Sequence, residues 1–181
     1  MAGLDPRGEV ALAVQFYDMP GETDFYSGPI NVSSGRRDTA AVFRRVFQVT
    51  RAQIDAHRAD WADGRLDTPI PAVMNWPGTG NPGYGFRPGT GALAPFADVD
   101  GDGVYDPSAG DYPAVTGDRA AWWVMNDLDI HRRSGSTNPL GIEVQGLLEG
   151  FNGGASRNSP PYSNSRTVSP TGARSNSTPW S

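Results

Sequence analysis

The order of apolar and polar residues along the chain predicts one clear helix. Within "TRAQIDAHRADWADG" (50–64), Ile54 and Trp61 recur at the spacing of a single helical face. His57 or Arg58 shares that face. Capping signals support the same segment, because a threonine opens it, a glutamine follows three residues later, and a glycine closes it.

Strand patterns in the chain are short and are separated by turns. "EVALAVQFY" (9–17) is typical of one strand. "RAAWWVMND" (119–127) and "PLGIEVQGLLEGF" (139–151) predict two more, joined by a polar turn as an antiparallel hairpin. Because neighbouring residues of a strand point to opposite faces, we expect Trp122 and Trp123 to lie on opposite sides of the sheet.

Composition favours a fold that is rich in loops. The 181 residues include 23 glycines and 16 prolines, and only 37% are hydrophobic, so turns should be abundant. Residues 65–95 lack usable periodicity and are interpreted as ordered coil. Residues 152–181 are dominated by small polar residues and predict a disordered, low-complexity tail. For residues 1–151 we predict a mainly β module with one short helix and much ordered coil, a loop-rich α+β fold with a partial β-sandwich-like sheet.

Charge and residue usage exclude several classes of function. The formal net charge is -5, so the chain offers no basic face for nucleic acid. It has no cysteine, which removes disulfides and thiolate metal sites. The apolar runs are too short for a signal peptide or a bilayer span. We therefore expect neither a nucleic-acid partner nor membrane insertion, and no export signal in this chain.

One segment, "FADVDGDGVYDPSAGDYP" (96–113), is rich in carboxylates and poor in core residues. Its D-x-D-x-D-G start is that of a calcium loop, in which alternate carboxylates point inward and the glycine permits a sharp turn. A valine at the seventh position would offer its carbonyl, and a tyrosine at the eighth would anchor the loop to the core. The predicted Ca²⁺ ligands are Asp98, Asp100, Asp102, Val104, Asp106 and Asp111.

This loop departs from an EF-hand in two ways. Ala109 stands where the bidentate glutamate is expected, so Asp111 would replace it, and Pro95 and Pro107 argue against flanking helices. The alternative is a solvated acidic turn, since aspartate and glycine are common in turns. Repulsion of about 1 kcal/mol per carboxylate pair, even in water, favours a cation instead. Such loops in extracellular modules bind Ca²⁺ with dissociation constants of about 10⁻⁴ to 10⁻³ M, which favours an extracytoplasmic protein.

Candidates for catalysis are weaker than the calcium motif. His57 and His131 have no cysteine partner and are interpreted as surface or helix-face residues. Glu143 and Glu149 are an even number of positions apart on a predicted strand, which would place both carboxylates on one face as in a glycosidase pair, but a solvent-facing role is the simpler interpretation. Exposed tryptophans beside a metal would suit sugar stacking, and this alternative stays open.

Six segments follow one another in a characteristic order. They are "TDFYSGPI" (23–30), "FRRVFQVTRAQIDAHRADW" (43–61), "IPAVMNWPGTGN" (70–81), "LAPFADVDGDGVYDPSAGDYP" (93–113), "GDRAAWWVMND" (117–127) and "LGIEVQGLLEGF" (140–151). Their order resembles the N-terminal region of large secreted proteins of the Bacteroidota, and the resemblance covers residues 20–151. Those proteins are exported by the type IX (Por) secretion system and end in a C-terminal sorting domain, and many are associated with the cell surface or with gliding.

The resemblance implies an extracellular module that is structural or adhesive, with no established activity to carry over. We therefore expect a non-catalytic, calcium-stabilised module of a secreted or cell-surface bacterial protein, with polysaccharide or other surface proteins as candidate partners. The alternative is a calcium-dependent carbohydrate-binding module, or a fragment of a polysaccharide-degrading enzyme. Members of the family continue into further strands after "GIEVQ", whereas a serine-rich tail follows here, so the chain is expected to be a fragment.

Overall fold

The computed structural model describes residues 1–4, 7–14, 23–31, 34–37, 41–81, 92–132 and 137–153. Its helices are α1 (Arg51–Asp60) and the single turn α2 (Pro71–Met74), and 3-10 turns lie at Ala41–Phe43, Trp61–Asp63 and Pro107–Ala109. Its strands are β1 (Ala2–Leu4), β2 (Val10–Leu12), β3 (Tyr26–Ser27), β4 (Ile30–Asn31), β5 (Arg36–Arg37), β6 (Phe47–Thr50), β7 (Phe96–Ala97), β8 (Tyr112–Pro113), β9 (Arg119–Asn126) and β10 (Glu143–Gly150). The predicted mainly β, loop-rich α+β fold is confirmed. The predicted tail lies outside the described residues from position 154 onward.

A four-stranded antiparallel sheet forms the centre of the molecule. β9 and β10 pair along their full length, with Trp123 opposite Gly146, so the predicted hairpin is confirmed. β9 also pairs with β3 and with β6, where Phe47 lies opposite Trp122. The pairs β1–β2, β4–β5 and β7–β8 form separate two-stranded antiparallel sheets.

The two faces of β9 differ as the sequence predicts. Trp122 is 2% exposed and points into the core with Val124. Trp123 is half-buried on the opposite face. There it packs against Gly146, where an added Cβ would lie 2.2 Å from the indole ring. Glycine at that position therefore makes room for the tryptophan on the neighbouring strand.

Helix α1 begins and ends at the predicted signals. The Thr50 side chain and Gln53 form the reciprocal capping box, and Gly64 closes the following 3-10 turn with φ of 81°. Ile54 and His57 are both fully buried on its inner face. One continuous cluster of buried side chains joins this helix to the central sheet, to α2 and to the segment around Tyr105.

Two predicted segments differ in detail from the structure. Of the first predicted strand, 9–17, residues 9–14 are described, and within them β2 spans Val10–Leu12 and pairs with the unpredicted β1. Part of the predicted coil, residues 65–95, is more regular than expected. It contains α2, whose first residue is Pro71, a favoured helix start because proline needs no N–H partner there. Residues 82–91 lie outside the described residues.

No helix in the described ranges is long and apolar enough to cross a membrane.

Candidate metal site

The acidic loop closes a short β-hairpin. β7 and β8 pair antiparallel, and Ala97 lies opposite Tyr112 in the last pair before the loop. Asp98 and Asp111 therefore leave the two strands side by side, although thirteen positions separate them in the sequence. Pairing of the strands thus positions both aspartates.

Tyr105 anchors the loop to the core, as its place in the motif predicts. Its side chain is fully buried, and its hydroxyl donates to the carbonyl oxygen of Val73 at 2.7 Å. Its backbone N–H donates to the carbonyl of Thr79 at 2.7 Å. The ring lies so close to Gly78 that a Cβ there would be 2.5 Å from it.

Three of the predicted ligands converge. Asp98, Asp100 and Asp111 each place one carboxylate oxygen within 4.8 Å of the other two. Oxygens that share one Ca²⁺ can lie up to about 4.6 to 5.2 Å apart, twice the Ca–O distance. These three carboxylates could therefore hold a metal ion together.

Backbone donors orient the carboxylate of Asp98. The N–H groups of Gly103 and Gly101 donate to its two oxygens at 2.9 and 2.7 Å. These hydrogen bonds, the one from Gly103 foremost, lower the pKa of the Asp98 carboxyl group. The exposed edge of the site therefore carries an ionised carboxylate at neutral pH.

Asp111 forms the buried side of the group. Its carboxylate accepts the N–H groups of Val99 at 2.7 Å and Asp106 at 2.9 Å. Burial raises its pKa, these hydrogen bonds oppose the rise, and the nearby charges of Asp100 and Asp98 add to it. A divalent cation would offset both the burial and the repulsion.

Asp102 and Asp106 lie outside this group. The Asp102 carboxylate accepts the N–H of Val104 at 2.7 Å. The Asp106 carboxylate accepts the N–H of Ser108 at 2.8 Å and caps the 3-10 turn that follows. Short acidic side chains readily take the nearest backbone N–H in such turns. Of the six predicted ligands, three carboxylates converge, those of Asp98, Asp100 and Asp111.

Helix α1 lies directly beneath the site. Gly110 adopts φ of 102°, and an added Cβ would be 2.2 Å from the indole nitrogen of Trp61. His57 lies next to the backbone of Asp111, and burial lowers the pKa of its imidazole. Helix α1 and the 3-10 turn that follows it thus support the segment that presents Asp111.

The two glutamates considered for catalysis form structural hydrogen bonds. Glu143 accepts the backbone N–H of Ile30 at 2.6 Å. Glu149 accepts the N–H and hydroxyl of Thr116 at 2.5 and 2.7 Å, and the N–H of Gly117 at 3.2 Å. Both carboxylates tie β10 to neighbouring segments and are not simply solvent-facing.

Replacing Glu149 with glutamine should lower stability in a pH-dependent way. Although burial opposes it, hydrogen bonds from Thr116 and Gly117 lower the pKa of Glu149. The carboxylate therefore stabilises the fold above its unfolded pKa, and this contribution is lost as the pH falls through the folded pKa. We expect a loss of about 1 kcal/mol at pH 7, since the group is partly exposed, and a smaller loss near pH 3.

Urea denaturation at the two pH values measures this difference. Glu9→Gln is the matched control, because Glu9 lies in an exposed pair with Arg7 at 3.3 Å and should change little. If Glu149→Gln lost more stability at low pH than at pH 7, the assigned role would be contradicted.

A second polar group was not predicted from the sequence. Asp24, Asp127 and His131 meet at the end of β9, and His131 is 4% exposed. The interpretation of His131 as a surface residue is therefore wrong, because its side chain is buried with Nδ1 3.7 Å from Oδ2 of Asp24. The one local signal is the spacing of Asp127 and His131, four residues apart.

Comparisons with protein-family models, with curated proteins and with solved structures found no match to this chain. The resemblance to proteins exported by the type IX system therefore stays a prediction.

Proposed function

We propose that this chain is a non-catalytic module of a secreted or cell-surface bacterial protein, stabilised by Ca²⁺ bound between Asp98, Asp100 and Asp111. The convergence of these three carboxylates within 4.8 Å carries the proposal. Their formal charge of three negative units exceeds that of one divalent ion, so the bound ion would relieve their mutual repulsion.

The chemistry of the group favours calcium among common cations. All three side chains are carboxylates, and oxygen donors suit Ca²⁺ and Mg²⁺ better than zinc or copper. The loop between them is irregular, with Gly101 and Gly103 both at φ of 78°. Ca²⁺ accepts irregular, oxygen-rich surroundings, whereas Mg²⁺ demands near-octahedral geometry and retains more water.

A structural role follows from the position of the site. The ion would join the exposed loop to Asp111, which is buried against helix α1 and begins the return to β8. Binding to the folded chain alone stabilises it in proportion to the logarithm of the Ca²⁺ concentration over the dissociation constant. A weak site of this kind would fill outside the cell, which agrees with the secreted location that the resemblance implies.

The packing of Trp76, Trp122 and Trp123 supports this proposal over a sugar-binding platform built on those three residues. Trp76 and Trp122 are 0% and 2% exposed, so neither can stack on a sugar. The indole N–H of Trp76 donates inward, to the carbonyl of Pro95 at 2.9 Å. Trp123 is half-buried and packs on Gly146.

Thermal melts of the full chain with and without Ca²⁺ test the proposal. Calcium at one hundred times its dissociation constant should add about 2.7 kcal/mol of stability, and an equal concentration of Mg²⁺ should add less.

Asp100→Asn should weaken Ca²⁺ binding tenfold or more, a loss of about 1.4 kcal/mol at fixed Ca²⁺. This position is well suited because Asp100 is exposed and its carboxylate accepts one long backbone hydrogen bond, 3.3 Å from Asp102.

Asp102→Asn is the matched control for the ligand set. It removes the same charge from the same exposed loop, but its carboxylate lies outside the convergent group. We expect it to retain most of the calcium effect. A wild-type melting temperature that did not change with Ca²⁺ would contradict the three-carboxylate site. An equal loss of the calcium effect in Asp100→Asn and Asp102→Asn would contradict it as well.

A further inference from the structure

Four places in the chain put an aspartate or an asparagine directly before a glycine. They are Asp63–Gly64, Asp100–Gly101, Asp102–Gly103 and Asn152–Gly153, and all four lie within the described residues. Such pairs can undergo a spontaneous covalent reaction, because glycine has no side chain to shield its backbone nitrogen or to restrict its backbone angles. The structure separates the four pairs by what holds that nitrogen.

The reaction begins when the glycine nitrogen attacks the side-chain carbonyl carbon, Cγ, of the residue before it. The new N–Cγ bond closes a five-membered succinimide ring, the nitrogen gives up its proton, and the group that leaves Cγ takes up a proton. That group departs as ammonia from asparagine and as water from aspartate. Water then opens the ring at either carbonyl and gives aspartate or isoaspartate, so the reaction needs no oxidant and no cofactor.

Hydrogen bonds hold three of the four glycine nitrogens. The N–H of Gly64 donates to the carbonyl oxygen of Trp61 at 2.8 Å. The N–H groups of Gly101 and Gly103 donate to the two carboxylate oxygens of Asp98 at 2.7 and 2.9 Å. Each of these nitrogens would have to leave its acceptor before it could reach the neighbouring Cγ.

The fourth pair lies just beyond β10 and lacks this protection. β10 ends at Gly150, and both Asn152 and Gly153 are exposed. Within the described part of the chain, no backbone carbonyl accepts the N–H of Gly153. An added Cβ at Gly153 would meet nothing within 4 Å. The Gly153 nitrogen therefore has the room and the freedom to approach the Asn152 side chain.

Asparagine also has the more reactive side chain. A carboxamide is neutral, whereas the negative charge of an ionised carboxylate repels the lone pair of an attacking nitrogen. We infer that Asn152 is a site of covalent modification, where the folded protein deamidates through a succinimide formed with Gly153. The product has a carboxylate in place of the carboxamide, so the formal net charge of -5 becomes more negative by one unit.

The new charge appears at a junction of the central sheet. The backbone N–H of Asn152 donates to Oδ2 of Asp118 at 2.5 Å. The N–H of Asp118 donates to the carbonyl of Gly150, and its own carbonyl accepts the N–H of Arg51 at the start of α1, both at 2.8 Å. A carboxylate at position 152 repels that of Asp118, and isoaspartate also lengthens the backbone by one methylene group. The modification therefore loosens the end of β10 from the start of β9.

Incubation of the folded full chain at mildly alkaline pH, followed by peptide mapping with mass spectrometry, tests the inference. The buffer contains no Ca²⁺, so the outcome does not depend on the metal site. We expect the peptide with Asn152 to gain one mass unit and to contain isoaspartate before any other asparagine, or any aspartate–glycine pair, changes. Ion exchange should show a more acidic form of the intact protein at the same rate.

Gly153→Ala is the matched variant, because the added Cβ has room and leaves Asn152 in place. It should slow the reaction about tenfold, since the Cβ shields the attacking nitrogen and narrows its backbone angles. Asn152→Gln should remove the early change, because glutamine would have to close a larger ring. Deamidation of another asparagine before Asn152, or an unchanged rate in Gly153→Ala, would overturn the inference.

The same incubation in urea tests the protective hydrogen bonds. Unfolding releases the three held glycine nitrogens, so isoaspartate should then form faster at Asp63, Asp100 and Asp102. Isoaspartate at any of these aspartates in the folded chain as early as at Asn152 would overturn the inference. A rate at the three aspartates that did not rise in urea would overturn its structural basis, because the hydrogen bonds would not be what protects them.

Discussion

Replacing Trp122 with alanine is expected to lower the free energy of unfolding by about 3 to 5 kcal/mol. Trp122 is 2% exposed at the centre of β9, and its ring contacts that of Phe47 on β6 with centroids 5.9 Å apart. The truncation removes a large buried surface and leaves a cavity in the core cluster that the sheet shares with helix α1. Urea denaturation followed by far-UV circular dichroism measures the loss.

Trp123→Ala is the matched control, because it makes the same change one residue along the same strand. Its side chain is half-buried on the other face, against Gly146. We expect a loss of about 1 to 2 kcal/mol there, since less surface leaves water on folding. Equal losses at the two positions would contradict the register of β9, in which one indole faces the core and the other faces away.

Gly110→Ala is expected to be the most damaging small substitution near the metal site. Gly110 has φ of 102°, and a Cβ would lie 2.2 Å from the Trp61 indole nitrogen. Left-handed strain costs about 1 to 2 kcal/mol, and displacement of the indole adds about 1 to 3 kcal/mol of overpacking. Because Asp111 is the next residue, we also expect weaker Ca²⁺ binding, measured by the calcium-dependent melting temperature.

Gly103→Ala is the control that separates the cost of left-handed backbone strain from the cost of displacing the Trp61 indole. Gly103 also has a positive φ, 78°, but an added Cβ meets nothing within 4 Å. The Gly103→Ala variant should therefore lose only the stability that left-handed backbone strain costs, about 1 to 2 kcal/mol. If Gly103→Ala destabilised the protein as much as Gly110→Ala, contact between Trp61 and Gly110 would not be the cause.

Elements with local signals were predictable from the sequence. The capping box at Thr50 and the closing Gly64 delimit the helix, because each acts within a few residues of its own position. The alternation in residues 119–127 and 139–151 likewise sets the β9–β10 hairpin. Spacing alone also identified Asp111 as a ligand candidate, since it lies two residues beyond Ala109, which stands at the twelfth position of the motif.

Features decided by distant contacts were not predictable. β1 is three residues long and exists as a strand because β2 pairs with it. The burial of His131 depends on Asp24, more than one hundred positions earlier in the chain. The convergence of Asp111 with Asp98 and Asp100 depends on the pairing of β7 with β8, which brings the Asp111 carboxylate to the N–H of Val99, twelve positions earlier. No short window of sequence contains that information.

The pairings of β9 also indicate the order in which the strands come together during folding. Its partner β10 is the next strand along the chain, with residues 127–142 between them, so this pairing closes a shorter loop, at lower entropic cost, than the pairings with β6 and β3. Its other contacts are remote, since the amide of Asn126 donates to the carbonyl of Gly28 across 98 positions of sequence. Chains dominated by such long-range pairings fold slowly. The hairpin can therefore form first as a template, on which β6 and then the N-terminal segment with β3 add as later and slower steps.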